Sequence, residues 1–192
     1  MRFGLWLAWV VVFAALAAYG AMTQRIERAA ALYWDGSTDD AVEAFQALDA
    51  RFRRHPWMAR LLPAERDRVL DNYLRLLYLD QEYDRVIVEG EAALLEHPGP
   101  APVVSYWLGN AYYRKALGGQ AEEEDALAWL RRAGDQYEQA IVQSSDDWDL
   151  KYNHEMVQTL LRKLDSQTEP SSFDILRPDD KPSPQPPARR IG

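Results

Sequence analysis

The stretch "LDNYLRLLYLDQEYDRVIVEGEAALLEHP", residues 70 to 98, decides the fold. Leu70, Tyr73, Leu74 and Leu77 recur at intervals of three and four, the stripe of an amphipathic helix. Val86, Gly90, Ala93 and Leu94 form a second such stripe. Only "DQEY" (80–83) separates them, so the two helices are expected to be antiparallel neighbours. Elsewhere there is no sustained apolar–polar alternation and no hairpin dipeptide between β-branched runs. The expected class is all-α.

The same spacing recurs on both sides. Downstream, "SYWLGNAYY" (105–113) sets Leu108, Gly109 and Tyr112 on a further helix, and its partner resumes at Ala133, Tyr137 and Ala140. Between them "ALGGQAEEEDALAWL" (116–130) lengthens the turn, with "EEED" (122–125) read as a solvated first turn. Upstream, "LYWDGSTDDAVEAFQAL" (32–48) places Leu32, Gly36, Ala41, Phe45 and Leu48 at matching offsets. There Arg25 and Arg28 fall at positions expected to be apolar, which a helix continuing from the preceding apolar segment would explain.

With Leu70, Tyr73 and Leu77, an aromatic at Tyr83, small residues at Gly90 and Ala93 and a closing Pro98, the pattern resembles the tetratricopeptide (TPR) repeat. About three degenerate repeats would fill residues 23–165. Each such repeat buries one face only against its neighbours, so a closing helix is required. The resemblance also implies a concave groove lined by the first helix of each repeat. Its positions would hold Tyr33 and Trp34, then Arg68, Asp71, Arg75 and Tyr78, then Tyr106, Asn110, Tyr113 and Arg114. Tyrosine, tryptophan, asparagine and arginine are what protein-recognition surfaces favour. Asn110 and Arg114 stand where relatives hold a peptide carboxylate, although the other groove bases do not complete that clamp. The aromatics have a second use, packing between helices.

The closing helix is expected in "DDWDLKYNHEMVQTLLRKL" (146–164). Asp146 or Asp147 suits its N-cap and Asp147 stands four before Lys151. Leu150, Met156, Val157, Leu160, Leu161 and Leu164 make the apolar stripe. "HEMVQ" falls short of the H-E-x-x-H zinc motif at Gln158, and the segment lacks the spacing of a calcium loop. His55 and His97 each precede a proline at a helix end, where they are expected to cap the last carbonyls. No phosphate loop, nucleophile elbow or dinucleotide fingerprint occurs. Neither an enzyme nor a cofactor or metal site is expected.

The ends differ from this middle. Phe3 to Met22 carry no charge, about the 20 residues a helix needs to cross a bilayer. Residues 1–22 are read as an uncleaved transmembrane anchor, with a signal peptide as the rival. Charges flanking it are nearly balanced, Arg2 before and Arg25 and Arg28 after, and the bulk of the chain is expected outside the cytoplasm, in the periplasm. Residues 166–192 hold six of the eleven prolines and are expected to be a disordered tail. Its one apolar island, "SFDILRP" (172–178), is either a strap on the protein's own surface or a partner motif. No cysteine is present, which excludes disulfides and thiolate sites. A net charge of −8 disfavours nucleic acid as the main partner.

An N-terminal anchor, TPR-like helices and the late segment Asp149, Lys151, Tyr152, Asn153, Glu155 resemble the TPR partners found beside MoxR-type ATPases and von Willebrand factor A proteins. The BatC-like proteins are one branch. The MxaK-like proteins of bacterial methanol-oxidation operons are another, closer in size and layout. That resemblance implies a membrane-bound adaptor at the bacterial inner membrane that helps mature a periplasmic enzyme, by analogy methanol dehydrogenase. Its partners would be von Willebrand factor A-type proteins, the ATPase system or the client dehydrogenase. The alternative is a structural spacer of an envelope complex.

Overall fold

The computed structural model describes residues 2–96, 101–118 and 123–168, and every regular element among them is an α-helix. The first, α1 (Arg2–Trp34), is 33 residues of unbroken helix, about 50 Å long. It has two halves. From Trp9 to Ala21 every position is exposed. Phe13 and Leu16 are each more than 60% exposed. By length and composition this helix can cross a membrane. From Met22 onward one stripe turns inward, with Met22, Ile26 and Ala29 buried.

That stripe corrects the sequence register. Arg25 and Arg28 are not in the inward positions but exposed beside them. An arginine on the inward face would lose its hydration without a partner, so the apolar i, i+4, i+7 set takes that face instead. It also places Met22 inside the folded domain, so no chain break separates anchor from domain at 22/23.

The remaining helices are α2 (Thr38–Arg54), α3 (Pro56–Leu61), α4 (Pro63–Leu79), α5 (Tyr83–Glu96), α6 (Pro102–Leu117), α7 (Glu123–Gln143) and α8 (Trp148–Thr168). The short α3 was not expected from sequence. Proline at the first position starts α3, α4 and α6, where its missing N–H costs nothing. Three hairpins result, α1/α2, α4/α5 and α6/α7. The first two turn alike. Gly36 N–H bonds Tyr33 C=O and Ser37 N–H bonds Leu32 C=O; Gln81 N–H bonds Tyr78 C=O and Glu82 N–H bonds Leu77 C=O. Both sets are the paired bonds that close a helix on a left-handed residue, here Gly36 at φ +86° and Gln81 at φ +62°.

The hairpins stack. α2 packs on α4, α5 on α6, and α7 on α8, while α4 also meets α6 directly. Two side-chain bonds, Trp107 to Asp71 and Arg114 to Tyr78, each join residues 36 apart, so α4 and α6 run parallel in register. Close approach depends on glycine at two points. A Cβ on Gly90 would lie 2.8 Å from Leu108 Cδ2, and one on Gly109 would lie 2.7 Å from Tyr137 Cε1. At the α2 end, Arg53 gathers Asp49 at 2.5 Å, Glu89 at 2.7 Å and Glu96 at 3.5 Å, pinning α2 to α5. Burial pushes the Asp49 carboxyl above the usual range, against the pull of Arg53.

α8 closes the stack. Asp147 Oδ1 accepts from the backbone N–H of Asp149 at 3.0 Å and of Leu150 at 3.2 Å, an N-cap. Leu150 and Val157 are buried against α7, with Leu160, Leu161 and Leu164 packed beside them. The expected ion pair from Asp147 to Lys151 is absent; the Lys151 ammonium lies 5.3 Å above the Trp148 ring instead, since that ring is nearer on the same turn. The His55 side chain caps nothing either. Its backbone N–H satisfies Arg51 C=O and Phe52 C=O, and its ring sits 6.4 Å from that of Trp57. Helix continues to Thr168, three residues past the expected boundary at 165. His97, Pro98 and residues 169–192, with "SFDILRP", lie outside the described residues.

Candidate partner-binding groove

The face shared by α4, α6 and α8 carries most of the residues expected to meet a partner. Spacing on α6 explains it: Val103, Tyr106, Trp107, Asn110, Tyr113 and Arg114 repeat at three and four and form one stripe. α4 adds Asp71 and Tyr78 in register with Trp107 and Arg114, and α8 adds Met156.

Tyr78 is the centre. Its ring lies 5.4 Å from both Tyr83 and Trp107, and the Arg114 guanidinium lies 5.9 Å from its centroid while Arg114 Nε donates to Tyr78 Oη at 2.9 Å. Trp107 Nε1 donates to Asp71 Oδ1 at 2.8 Å, and its ring meets Tyr106 edge-on at 5.0 Å. Tyr113 Oη sits 3.6 Å from Met156 Sδ. Below this layer Tyr137 Oη donates to Asn110 Oδ1 at 2.7 Å. Burial pushes the Tyr137 hydroxyl far above the ordinary tyrosine range, and Tyr106, Tyr78 and Tyr113 around it push the same way. Tyr137 therefore stays a neutral donor that fixes the Asn110 amide.

Asn110 is consequently 9% exposed, with its carbonyl already bonded. Its amide nitrogen and one further lone pair of that oxygen are left to offer. Arg114 is exposed, and beyond its bond to Tyr78 its remaining donors face solvent. At the opposite end a hollow of about 400 Å³ opens between the starts of α6 and α8, lined by Asp71, Tyr106, Asp147 and Asp149 among others. The face is thus acidic at one end and basic at the other. Asp71 and Tyr78, seven residues apart on α4, put about 10 Å between those ends.

The other expected positions lie apart. Tyr33 and Trp34 contact each other, ring centroids 5.3 Å apart, with Trp34 78% exposed at the end of α1. Arg68 pairs with Glu27 across α1 and α4 at 2.6 Å. Arg75 donates to Asn72 Oδ1 at 2.6 Å, while its buried Nε has no hydrogen-bond partner among the described residues. No ring contact or hydrogen bond among the described residues joins Tyr33, Trp34, Arg68 or Arg75 to the Tyr78 cluster.

Four members of the cluster were not among the residues expected in the groove: Tyr83, Trp107, Tyr137 and Met156. Trp107 was legible, since it lies on the same helical stripe as Tyr106 and Asn110. Tyr137 and Met156 come from other helices, and only packing brings them here. His154 Nε2 lies 3.3 Å from Gln158 Nε2. Among the described residues, no group of three or more His, Asp or Glu side chains is placed to hold a metal ion. No family model matches this chain, and neither a curated protein nor a solved structure matches it.

Proposed function

We propose that this protein is a membrane-anchored adaptor of TPR type that holds a segment of a partner protein on the face formed by α4, α6 and α8. One observation carries the reading. Asp71, Tyr78, Tyr106 and Arg114, with Trp107 beneath, form a connected aromatic surface with opposite charges at its two ends, and Tyr113 follows Tyr106 on the same stripe of α6. Amphipathic rings give large contact area at small entropic cost, and charged ends set the direction in which a segment lies. The basic part of the partner would meet Asp71 and Asp149, and its acidic part or carboxylate would meet Arg114. The α1 helix would hold the adaptor at the membrane and raise the effective concentration of membrane-bound partners.

The resemblance of Asp149, Lys151, Tyr152, Asn153 and Glu155 to the MoxR-operon TPR proteins supports a narrower form. In it the adaptor faces the periplasm and serves maturation of an enzyme such as methanol dehydrogenase, with von Willebrand factor A-type proteins or the ATPase as partners. The test is a crosslinked pull-down of the full-length chain from native membranes, wild type beside Arg114→Glu and Tyr113→Ala. Circular dichroism would verify that both variants fold. The adaptor reading expects defined partners that both variants lose. Unchanged capture by both variants would remove the groove from the function and leave a structural spacer. Recovery of only unrelated envelope proteins would sink the operon assignment.

A further inference from the structure

Beside the packed core of α1 and α2 the surface is hollowed. Two hollows run along their seam and meet at Arg25 and Arg51, which line both. The hollow nearer the apolar end of α1 has a volume of about 640 Å³, within the usual range for small-molecule sites. Leu16, Tyr19 and Met22 form one wall, and Trp57, Met58 and Leu61 of α3 the other. Trp57 and Leu61 are at least 60% exposed, although six-residue α3 has a folded domain behind it.

The level of this hollow gives it meaning. α3 faces the last residues of the apolar half of α1 across the hollow. With α1 in a bilayer, which the proposed function assumes, α3 sits where hydrocarbon gives way to headgroups. Tryptophan is enriched at that depth. α2 runs back toward the same level: its first turn, far from the membrane, is acidic (Asp39, Asp40), and its last turn is basic. Within that last turn Arg53 is neutralised by three carboxylates. Arg25, Arg51, Arg54 and Arg60 are exposed, and none makes an ion pair among the described residues. In a chain with 30 acids against 22 bases, unpaired arginines gathered at one level run against the composition. A neighbouring apolar cavity continuous with the span completes the match to an amphiphile with a negative head.

We infer that the seam binds an anionic phospholipid of the leaflet through which α1 leaves the membrane. One acyl chain lies between α1 and α3, and the phosphate sits between Arg25 and Arg51 with His55 at the rim. The lipid fills the gap and holds the domain at a fixed height on the bilayer.

The full-length protein in phosphatidylcholine nanodiscs, with and without phosphatidylglycerol, tests this by native mass spectrometry and by tryptophan quenching with brominated lipid. Phosphatidylglycerol should remain bound in preference to phosphatidylcholine, and the R25Q/R51Q variant should lose that preference by about tenfold or more. Trp57→Phe should remove part of the quenching, with Trp6 and Trp9 supplying the rest. Equal retention of the two lipids, or an unchanged preference in R25Q/R51Q, overturns the inference. Equal quenching of wild type and Trp57→Phe also overturns it while leaving the anchor intact. Absence of any quenching sinks the anchor reading itself and the inference with it.

Discussion

Where α6 meets α7, Gly109 lets the Tyr137 ring come so close that an added Cβ would sit 2.7 Å from it. Where α1 meets α2, Ala44, Ala47 and Leu48 face Arg25 and Arg28 across a hollow of about 600 Å³. Both junctions are antiparallel helix pairs with small residues at the seam. At α6/α7 the small residue is answered by a large ring, and the seam closes. At α1/α2 Met22, Ile26, Ala41 and Phe45 are buried as well, but at the edge, where alanine faces arginine, a hollow remains. A small residue in a helix seam therefore does not report tight packing until its opposite number is known.

The comparison breaks most visibly at Gly109. Gly109→Ala must displace a fully buried ring, with an expected loss of about 3 kcal/mol in a denaturant melt, whereas Gly118→Ala, with its nearest contacts at 3.5 Å, should change little. Tyr137→Phe keeps the ring but orphans Asn110 Oδ1, and an intermediate loss of about 1–2 kcal/mol is expected in the same assay. Tyr112, on the same helix as Gly109 but bonded to Glu91 of α5, gives a signature at high pH. Burial, and then the bond to Glu91, pushes the Tyr112 hydroxyl up to about 12. A free tyrosine ionises near about 10. Its contribution is thus complete below that pH and is lost as pH rises toward the folded value, so Tyr112→Phe should lose stability less steeply over that interval. At the second hairpin, Gln81 adopts the left-handed conformation that Gly36 adopts in the first. Gln81→Gly should raise stability by about 0.5–1 kcal/mol. Smallest of all, Ala47→Leu in the open seam should stay within about 0.5 kcal/mol of wild type; a loss like that at Gly109 would erase the distinction between the seams.

Much of the helical order was legible because its causes are local. Leu70, Tyr73, Leu74 and Leu77 repeat at helical spacing, and all four are fully buried. The turn at "DQEY" is short enough to force a hairpin. What failed to show was set by partners distant in sequence. Arg25 and Arg28 stand at offsets that are inward in the later hairpins, yet the burial stripe of α1 is set by what α2 and α4 present to it. α3 is too short to display a period. In the candidate groove, Asp71 and Arg114 are placed by the resemblance to the TPR pattern. That Asn110 is held from below by Tyr137 needed α7 in position, 27 residues along the chain.

The unbroken course of α1 has a mechanical consequence. A chain tethered by a loop can swivel, so its binding face samples every bearing. This one is mounted on a stiff shaft whose upper end, at Met22, Ile26 and Ala29, is built into the domain. With α1 in a bilayer, as proposed, the compass bearing of the groove around the bilayer normal is fixed by helical phase. Inserting one residue at Gly20 would turn the buried shaft by about 100° relative to the domain above it. Among the membrane neighbours that the proposed function assigns to it, that angle would decide which neighbour it faces.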